Sequence, residues 1–253
     1  MADDSELSAL HGHDDSQAEM MSECCILVDT LGTSIGSETK LNCHFGKGLL
    51  HRAFSVLIFD TDGAMLVQRR SDDKITFPSV WANTCCSHPL DIPGENDDVV
   101  SGVINAAKRK LHQELGISQS QLSEIEFKHL GSFLYECRWD SDWIEREVDH
   151  VLVAISDGIE VEPNPNEISS TRWVSSTEID EMMAGNGFWQ DQIVAPWFRL
   201  LWGEFFDGHY PDINAIPVKE RLVNFGEVDM DGNSVVPGQN LLDAIGLHRD
   251  HVE

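Results

Sequence analysis

Apolar side chains recur every four residues along one stretch of the chain, which predicts an amphipathic helix. The repeating positions are Val99, Val103, Ala107, Leu111 and Leu115. Gly116 follows them, where a helix C-terminus favours glycine. Weaker patterns predict further helices near residues 177–183 and 196–206. The longest predicted helix is therefore the one that ends before Gly116.

Runs of β-branched and aromatic residues predict strands on both sides of that helix. Residues 52–59 and 64–68 flank the pair Asp62-Gly63, which is a strong signal for a hairpin turn. Further strands are predicted at residues 26–28, 125–135, 148–155 and 171–174. Strands mixed with helices over about 180 residues indicate one layered α/β domain and no repeat array.

The two ends of the chain differ from this central region. Residues 1–22 are acidic and carry few large apolar groups, so we expect a mobile, disordered tail. The ordered domain is predicted over residues 23–202. Residues 203–253 form an extension of unknown role, rich in loop signals, in which only residues 240–245 look helical. Its Asp229-x-Asp231-Gly232 has glycine at the wrong position for a calcium loop and is interpreted as a turn.

Composition narrows the classes of partner. The formal net charge is −27, which argues against nucleic acid or an anionic membrane as a partner. No apolar run approaches the length that crosses a bilayer, and no secretory signal is evident. The six cysteines include no C-x-x-C, so neither a disulfide framework nor a structural zinc site is indicated. We expect a monomer in the cytoplasm, with a processed plastid form as the alternative.

The stretch Asn83-Thr84-Cys85-Cys86-Ser87-His88-Pro89-Leu90 carries the strongest chemical signal. In an extended chain the side chains of Cys86 and His88 point the same way, so a thiol can meet a substrate beside an imidazole that holds a metal. The alternative is a pair of small buried cysteines before a turn at Pro89.

Metal ligands are the next candidates. Glu145 and Glu147 lie two residues apart at the start of a predicted strand, so their carboxylates share one face. The alternative is the solvated side of that strand. With His44, His51 and His88 they would offer a mixed nitrogen and oxygen set, which suits Mg²⁺, Mn²⁺ or Zn²⁺.

Two clusters stand out among the 17 basic residues of this acidic chain. They comprise Arg69, Arg70 and Lys74, and then Lys108, Arg109 and Lys110. Each cluster either holds a small anion or forms a solvated surface.

Several motifs together resemble a known family. They are His51-Arg-Ala-Phe-Ser, Gln68-Arg-Arg-Ser, Lys74-Ile-Thr-Phe-Pro, Trp81-Ala-Asn-Thr-Cys-Cys-Ser-His-Pro, Gln113-Glu-Leu-Gly-Ile and Glu145-Arg-Glu-Val. In order and spacing they resemble type I isopentenyl-diphosphate isomerase in its eukaryotic form, from about Cys24 to Trp202. The resemblance implies a single-domain Nudix-type α/β/α sandwich with a mixed sheet, and interconversion of isopentenyl and dimethylallyl diphosphate.

The resemblance also implies roles for individual residues. Cys86 would be the thiol acid/base, and Glu147, with Tyr135 nearby, would handle the proton on the other face of the substrate. The first divalent metal would be ligated by His44, His51, His88, Glu145 and Glu147. Glu114 would reach a second ion, a Mg²⁺ carried in with the diphosphate. The substrate would be bound by Arg70, Lys74, Lys110, Trp81 and Trp197.

The chain departs from the Nudix hydrolase box Gly-x5-Glu-x7-Arg-Glu-U-x-Glu-Glu-x-Gly-U, in which U is apolar. Aligned on Arg109, the box meets Glu95 where glycine belongs and Ser101 where the first glutamate belongs. Lys110 and Gln113 replace two later acids, so only Glu114 remains. Hydrolysis of a nucleotide-like diphosphate is disfavoured, because metal-assisted cleavage needs several carboxylates. An inactive Nudix-like interaction module is the other alternative.

Overall fold

The computed structural model describes residues 10–210 and 212–238. Its α-helices are α1 (Asp15–Met20), α2 (Lys40–His44), α3 (Val99–Leu115), α4 (Gln119–Glu124), α5 (Ser176–Ala184) and α6 (Pro196–Leu201). Its first strands are β1 (Cys24–Val28), β2 (Ser34–Thr39), β3 (His51–Phe59), β4 (Met65–Arg70), β5 (Trp81–Ala82) and β6 (Cys85–Ser87). The later strands are β7 (Lys128–Arg138), β8 (Ile144–Ile155), β9 (Ile168–Val174), β10 (Val223–Val228) and β11 (Ser234–Pro237). Short 3-10 turns lie at Gly187–Trp189 and Ile213–Ala215.

These strands form one mixed sheet within the described ranges. Its main path runs β11-β10-β7-β8-β3-β1-β2, while β4 and β6 pair with β3, and β5 and β9 pair with β4. The central pair, β3 and β8, is parallel, and β7 lies antiparallel on the far side of β8. The predicted hairpin is present, because Phe59 pairs with Met65 across the Asp62-Gly63 turn.

Side chains of β3 alternate between two apolar layers. Phe54, Val56 and Ile58 pack with α3, whereas Leu57 and Phe59 pack in the cluster that contains α6. Burying each such side chain stabilises the fold by about 1.5–3 kcal/mol. The sheet therefore has apolar cover on both faces, which confirms the predicted α/β/α sandwich.

Helix α3 has the ends that its sequence predicts. The carboxylate of Asp98 accepts a hydrogen bond from the Ser101 N–H, which satisfies one of the free donors at the helix start. Gly116 ends the helix in the left-handed conformation, with φ of +67°. One face of this helix packs on β3, and the helix also carries Lys110 and Glu114.

Three turns share one hydrogen-bond pattern. In each turn, the backbone carbonyl of an aspartate accepts the N–H of the glycine three residues later, over 2.9 to 3.1 Å. Its carboxylate accepts a second N–H from the residue after that glycine. The three aspartates are Asp29, Asp60 and Asp229. The interpretation of the Asp229 loop as a turn is confirmed.

The N-terminal segment is more ordered than the sequence predicts. Helix α1 lies inside residues 1–22, and the side chain of Gln17 is buried with its amide donating to Asn166 and Glu167. Met21 is buried in a small apolar cluster with Trp143. In the structure, a few apolar and amide contacts thus hold part of the segment for which the sequence predicts a mobile tail. Residues 1–9 lie outside the described part.

The segment after residue 202 also extends the domain. Residues 202–206 continue α6 as a π-helical turn in which the rings of Trp202 and Phe206 stack 4.8 Å apart. Strand β10 then adds a parallel strand to β7, and β11 closes a hairpin on it. The loop signals correctly marked turns but hid these two strands. The helix predicted at residues 240–245 lies outside the described residues.

Among the residues described, no helix has the length and apolar character needed to cross a membrane.

Candidate active site

Strand β8 places a row of acids at the centre of the sheet. Strand alternation puts Glu145, Glu147 and Asp149 on one face, and each is at least nine-tenths buried. The register sets Glu147 between His51 of β3 and Tyr135 of β7. One carboxylate therefore has an imidazole on one side and a phenol on the other.

The five predicted metal ligands converge from four parts of the chain. His44 ends α2, His51 begins β3, His88 follows β6, and the two glutamates lie on β8. One ligand atom from each of His44, His51, His88, Glu145 and Glu147 lies within 4.8 Å of the others, and all five side chains are buried. The structure thus brings this predicted set together.

The hydrogen bonds of two histidines orient the cluster. Nδ1 of His44 lies 2.7 Å from the Lys40 carbonyl, and Nδ1 of His51 lies 2.7 Å from the Leu49 carbonyl. A carbonyl can only accept, so each Nδ1 donates and each Nε2 keeps a lone pair when the ring is neutral. Both Nε2 atoms are buried and lack a hydrogen-bond partner. These atoms are ready to bind a cation.

Distances within the cluster support the same conclusion. Nε2 of His44 lies 2.9 Å from Oε2 of Glu145, yet the two atoms are not aligned as a hydrogen bond. Nε2 of His88 lies 2.7 Å from Oε1 of Glu147. Buried imidazole nitrogens and carboxylate oxygens gathered this closely are the donor set of a divalent metal site. The residues fit such an ion.

Charges in the cluster are strongly coupled. Burial favours the neutral imidazole of His51, but the Glu147 carboxylate, whose Oε1 lies 3.5 Å from Nε2, raises its pKa to about 9. Burial also opposes ionisation of Glu147, yet the neighbouring His51 imidazole holds its pKa below the ordinary value. Burial and the neighbouring imidazoles push the pKa of His88 well below its usual range. Histidine binds a metal in its neutral form, so occupancy of this cluster would depend on pH.

Tyr135 is tied to the same carboxylate. Its hydroxyl donates to Oε2 of Glu147 over 2.7 Å, and its side chain is buried. Burial and then the charge of Glu147 raise the tyrosine pKa well above its model-compound value, so the phenol stays protonated. The protonated phenol of Tyr135 and the carboxylate of Glu147 therefore form a hydrogen-bonded pair.

Cys86 lies on the same face of the sheet. Strand β6 pairs it with Ser55, and its sulfur is 3.8 Å from Nη1 of Arg70. Burial raises the thiol pKa to about 12 despite the opposing charge of Arg70, so the thiol is protonated at neutral pH. The next thiol, Cys85, points to the opposite face and lies 3.7 Å from Oε2 of Glu114. Of the two adjacent cysteines, only Cys86 lines the cavity.

Basic side chains complete the wall. Arg70 donates to the carbonyls of Phe77 and Thr76 at 2.9 and 2.8 Å, and these bonds fix its guanidinium beside Cys86. Lys74 pairs with Glu167 over 2.6 Å. Lys40, which the sequence analysis missed, lines the same cavity. The cavity lining therefore combines three basic side chains with the carboxylates of β8.

The structure separates the two tryptophans assigned to the substrate. Trp197 lines the cavity, its indole N–H donates to Asn83, and its ring lies 5.7 Å from the Arg70 guanidinium. Trp81 instead donates to Gln192 and packs edge-on against Trp189, outside the cavity wall. Its backbone carbonyl accepts the Ala195 N–H over 2.8 Å, so Trp81 helps to hold the start of α6, the helix that carries Trp197.

Lys110 and Glu114 also lie outside the cavity wall. They form an ion pair on α3 with 3.2 Å between Nζ and Oε1, and both side chains are buried. Glu114 lies under β6 through its contact with Cys85. The second basic cluster thus does not join the first at the cavity surface.

The cavity lies over the face of the sheet that carries Glu145 and Glu147. Its lining includes Asp149 and Gln17, two residues that the sequence analysis did not select. Asp149 could have been found, because it continues the alternation of Glu145 and Glu147. Nothing local in the sequence marks Gln17, which reaches the cavity only because α1 folds over it.

Comparison with known proteins agrees with this geometry. Residues 49–198 match the NUDIX domain family. The chain is 40% identical over 210 residues to isopentenyl-diphosphate Delta-isomerase 1 of Bos taurus, covering 80% of this chain and 91% of the relative. It is 42% identical to the delta-isomerase of Aspergillus fumigatus, covering 76% and 73% of the two chains. It is also 42% identical to the chloroplastic delta-isomerase II of Arabidopsis thaliana, covering 77% and 71%. The chain belongs to the isopentenyl-diphosphate isomerase family.

In this isopentenyl-diphosphate isomerase family member, the NUDIX match leaves out important parts of the site. It begins at residue 49, so α1 with Gln17 and α2 with His44 precede it. It ends at residue 198, before the β10–β11 hairpin. The NUDIX region contains most of the sheet and most of the predicted site residues, and the flanking segments add His44, one of the five predicted ligands, and Gln17 in the cavity lining.

Proposed function

We propose that this protein interconverts isopentenyl diphosphate and dimethylallyl diphosphate. The observation that carries the proposal is one cavity lined by a protonated thiol, Cys86, and by the hydrogen-bonded pair Tyr135 and Glu147. A 1,3-proton shift needs one group that gives a proton and another that takes one. The relatives named above carry this activity in their names.

The reaction moves one hydrogen and leaves the diphosphate intact. A proton added to the terminal alkene carbon leaves a tertiary cation, and loss of a proton two carbons away forms the internal alkene. The raised pKa of Cys86 keeps a proton on the thiol, and the ionised Glu147 accepts one with Tyr135 as its hydrogen-bond donor. Reversal exchanges the two roles.

Water would trap the cation, so the pocket must exclude it. The ring of Trp197 offers an electron-rich face, and α1 covers the cavity through Gln17 and Met21. His44, His51, His88, Glu145 and Glu147 would hold a divalent cation, which would supply positive charge beside Glu147 and offset the charge of the two carboxylates. Mg²⁺, Mn²⁺ and Zn²⁺ all suit the cluster's ligand set.

The diphosphate needs positive charge in a chain of net charge −27. We assign it to Arg70, Lys74 and Lys40, which line the cavity together. We retain Glu114 as the residue that reaches a Mg²⁺ carried in with the diphosphate. Lys110 would act through Glu114, because the two are ion-paired. The protein would work as a cytoplasmic monomer without a nucleic-acid partner.

Proton NMR of isopentenyl diphosphate with the protein and Mg²⁺ in D2O tests the proposal, run beside a phosphate-release assay. Deuterium entry and dimethylallyl methyl signals are expected, with no phosphate release. Unchanged substrate would refute isomerisation. Phosphate release from nucleotide diphosphates would then indicate a hydrolase. A negative result in both assays would indicate an interaction module.

A further inference from the structure

Arg109 makes three side-chain hydrogen bonds outside the cavity. Its Nε lies 2.6 Å from Oε1 of Glu95, and its Nη2 lies 2.9 Å from Oε2 of the same carboxylate. This two-point pairing fixes the plane of the guanidinium. The Glu95 carboxylate is buried, so water cannot easily replace the pair. Arg109 therefore has a defined orientation on α3 and does not form a free basic surface.

The same guanidinium reaches the segment that carries His88. Nη2 of Arg109 donates to the His88 carbonyl over 3.2 Å. Oε2 of Glu95 accepts the Leu90 N–H over 2.8 Å. The two partners thus hold the backbone on both sides of Pro89, one by a donor and one by an acceptor.

The loop that carries Glu95 is itself fixed on α3. A Cβ on Gly102 would lie 2.2 Å from the Glu95 carbonyl oxygen, so only glycine allows this close approach. The side-chain amide of Asn105 donates to the Gly94 carbonyl over 2.7 Å. Glu95 therefore gives Arg109 a rigid partner.

His88 needs such support more than the other two histidines do. Nδ1 of His44 and Nδ1 of His51 are each held by a backbone carbonyl, whereas Nδ1 of His88 is buried without a hydrogen-bond partner. Metal-binding histidines are normally oriented by a hydrogen bond at the second nitrogen. His88 also lies just beyond the last residue of β6, where sheet pairing ends. Apart from the contact of its Nε2 with Glu147, the orientation of His88 depends on its backbone.

We infer that Arg109 and Glu95 are positioning residues that hold His88 as a metal ligand. The inference rests on the proposed metal site. It also explains one departure from the NUDIX box, because Glu95 stands where the box has glycine and captures the box arginine, Arg109. The glutamate at the glycine position of the box, Glu95, thus pairs with Arg109, the arginine that this chain shares with the box.

The test measures Co²⁺ binding by visible absorption, with no substrate present. We expect Arg109→Met and Glu95→Gln to raise the Co²⁺ dissociation constant about tenfold or more, and to change the absorption bands because His88 leaves its position. Arg109→Lys keeps the charge but not the two-point geometry, so its effect should be intermediate.

Two controls separate positioning from general stability. Arg172→Met breaks a surface ion pair with Glu178, and Leu122→Ala opens the core beneath α4. Both should keep wild-type Co²⁺ affinity, although Leu122→Ala lowers the melting temperature. The inference is overturned if the Arg109 and Glu95 variants bind Co²⁺ like the wild type, or lose affinity only as much as an equally destabilised Leu122→Ala.

Failure of this inference is distinct from failure of the proposed function. A wild-type protein that binds Co²⁺ but does not isomerise refutes the function and leaves the positioning argument standing. A wild-type protein that binds no Co²⁺ refutes the metal site, and the positioning role with it.

Discussion

Tyr135→Phe isolates one hydrogen bond of the proposed proton-transfer unit. The chain has two tyrosines, and Tyr135 donates to Oε2 of Glu147 over 2.7 Å. Phenylalanine keeps the buried ring, which packs 5.6 Å from the ring of Phe133. The substitution therefore removes the donor and leaves the packing in place.

The size of the effect follows from the charge of the acceptor. The pKa of Glu147 is held below its ordinary value, so Tyr135 donates to an ionised carboxylate. A hydrogen bond to a charged group contributes about 1.5–3 kcal/mol. Each 1.36 kcal/mol is tenfold in rate, so kcat/KM for isopentenyl diphosphate should fall about 10- to 150-fold. The NMR assay, run at several substrate concentrations, measures this value.

Tyr210→Phe is the matched control. Its hydroxyl donates to the Gly63 carbonyl, and it does not line the cavity. The Tyr210→Phe variant should have a lower melting temperature, and its kcat/KM should stay within about twofold of the wild-type value. A Tyr135→Phe enzyme within twofold of wild type, or an equal loss in Tyr210→Phe, would refute the assigned role of the phenol.

Three further outcomes are expected. Cys86→Ala should abolish turnover while Cys85→Ala keeps it, because only Cys86 lines the cavity; the reverse pattern in the NMR assay would show that the wrong thiol was assigned. EDTA should stop turnover and Mg²⁺ or Mn²⁺ should restore it, whereas activity indifferent to the chelator would exclude a metal role. Burial lowers the pKa of His150 to about 3, so the unfolded chain binds a proton there below about pH 6.5 and the folded chain does not. Stability should fall by about 1.4 kcal/mol per pH unit from this group between pH 6.5 and 3, and His150→Gln should remove that part of the slope in urea titrations.

Local patterns predicted the parts of the fold that follow local rules. The four-residue repeat and Gly116 located α3, and strand alternation placed Glu145 and Glu147 on one face. These depend on the period of a single element, which the sequence contains directly. The sequence patterns did not predict the short elements, and α2 shows the reason. It has five residues and no repeat, and it is held by a cap at Thr39 and by burial of Leu41 against other parts of the chain.

The site shows the same limit. The resemblance gave a ligand set that the structure brings together, but side-chain direction depends on tertiary packing. Trp81 turns toward Trp189, and Lys110 pairs with Glu114, so neither lines the cavity. Lys40 lines it only because β2 and α2 carry it there. Which lysine or tryptophan reaches a cavity is decided by contacts between distant segments, and no local pattern records them.

The β10–β11 hairpin has a consequence for how the protein is made. Val223 of β10 pairs in parallel with Phe133 of β7, which emerges from the ribosome 90 residues earlier. Until β10 follows, the strand that carries Tyr135 is an open sheet edge during synthesis, and open edges invite pairing with other chains. A stop codon just before residue 223 would leave all the proposed catalytic and metal-binding side chains intact. The edge of β7 would then stay unpaired in the finished protein. We expect this truncated protein to aggregate, although it would keep every proposed site residue.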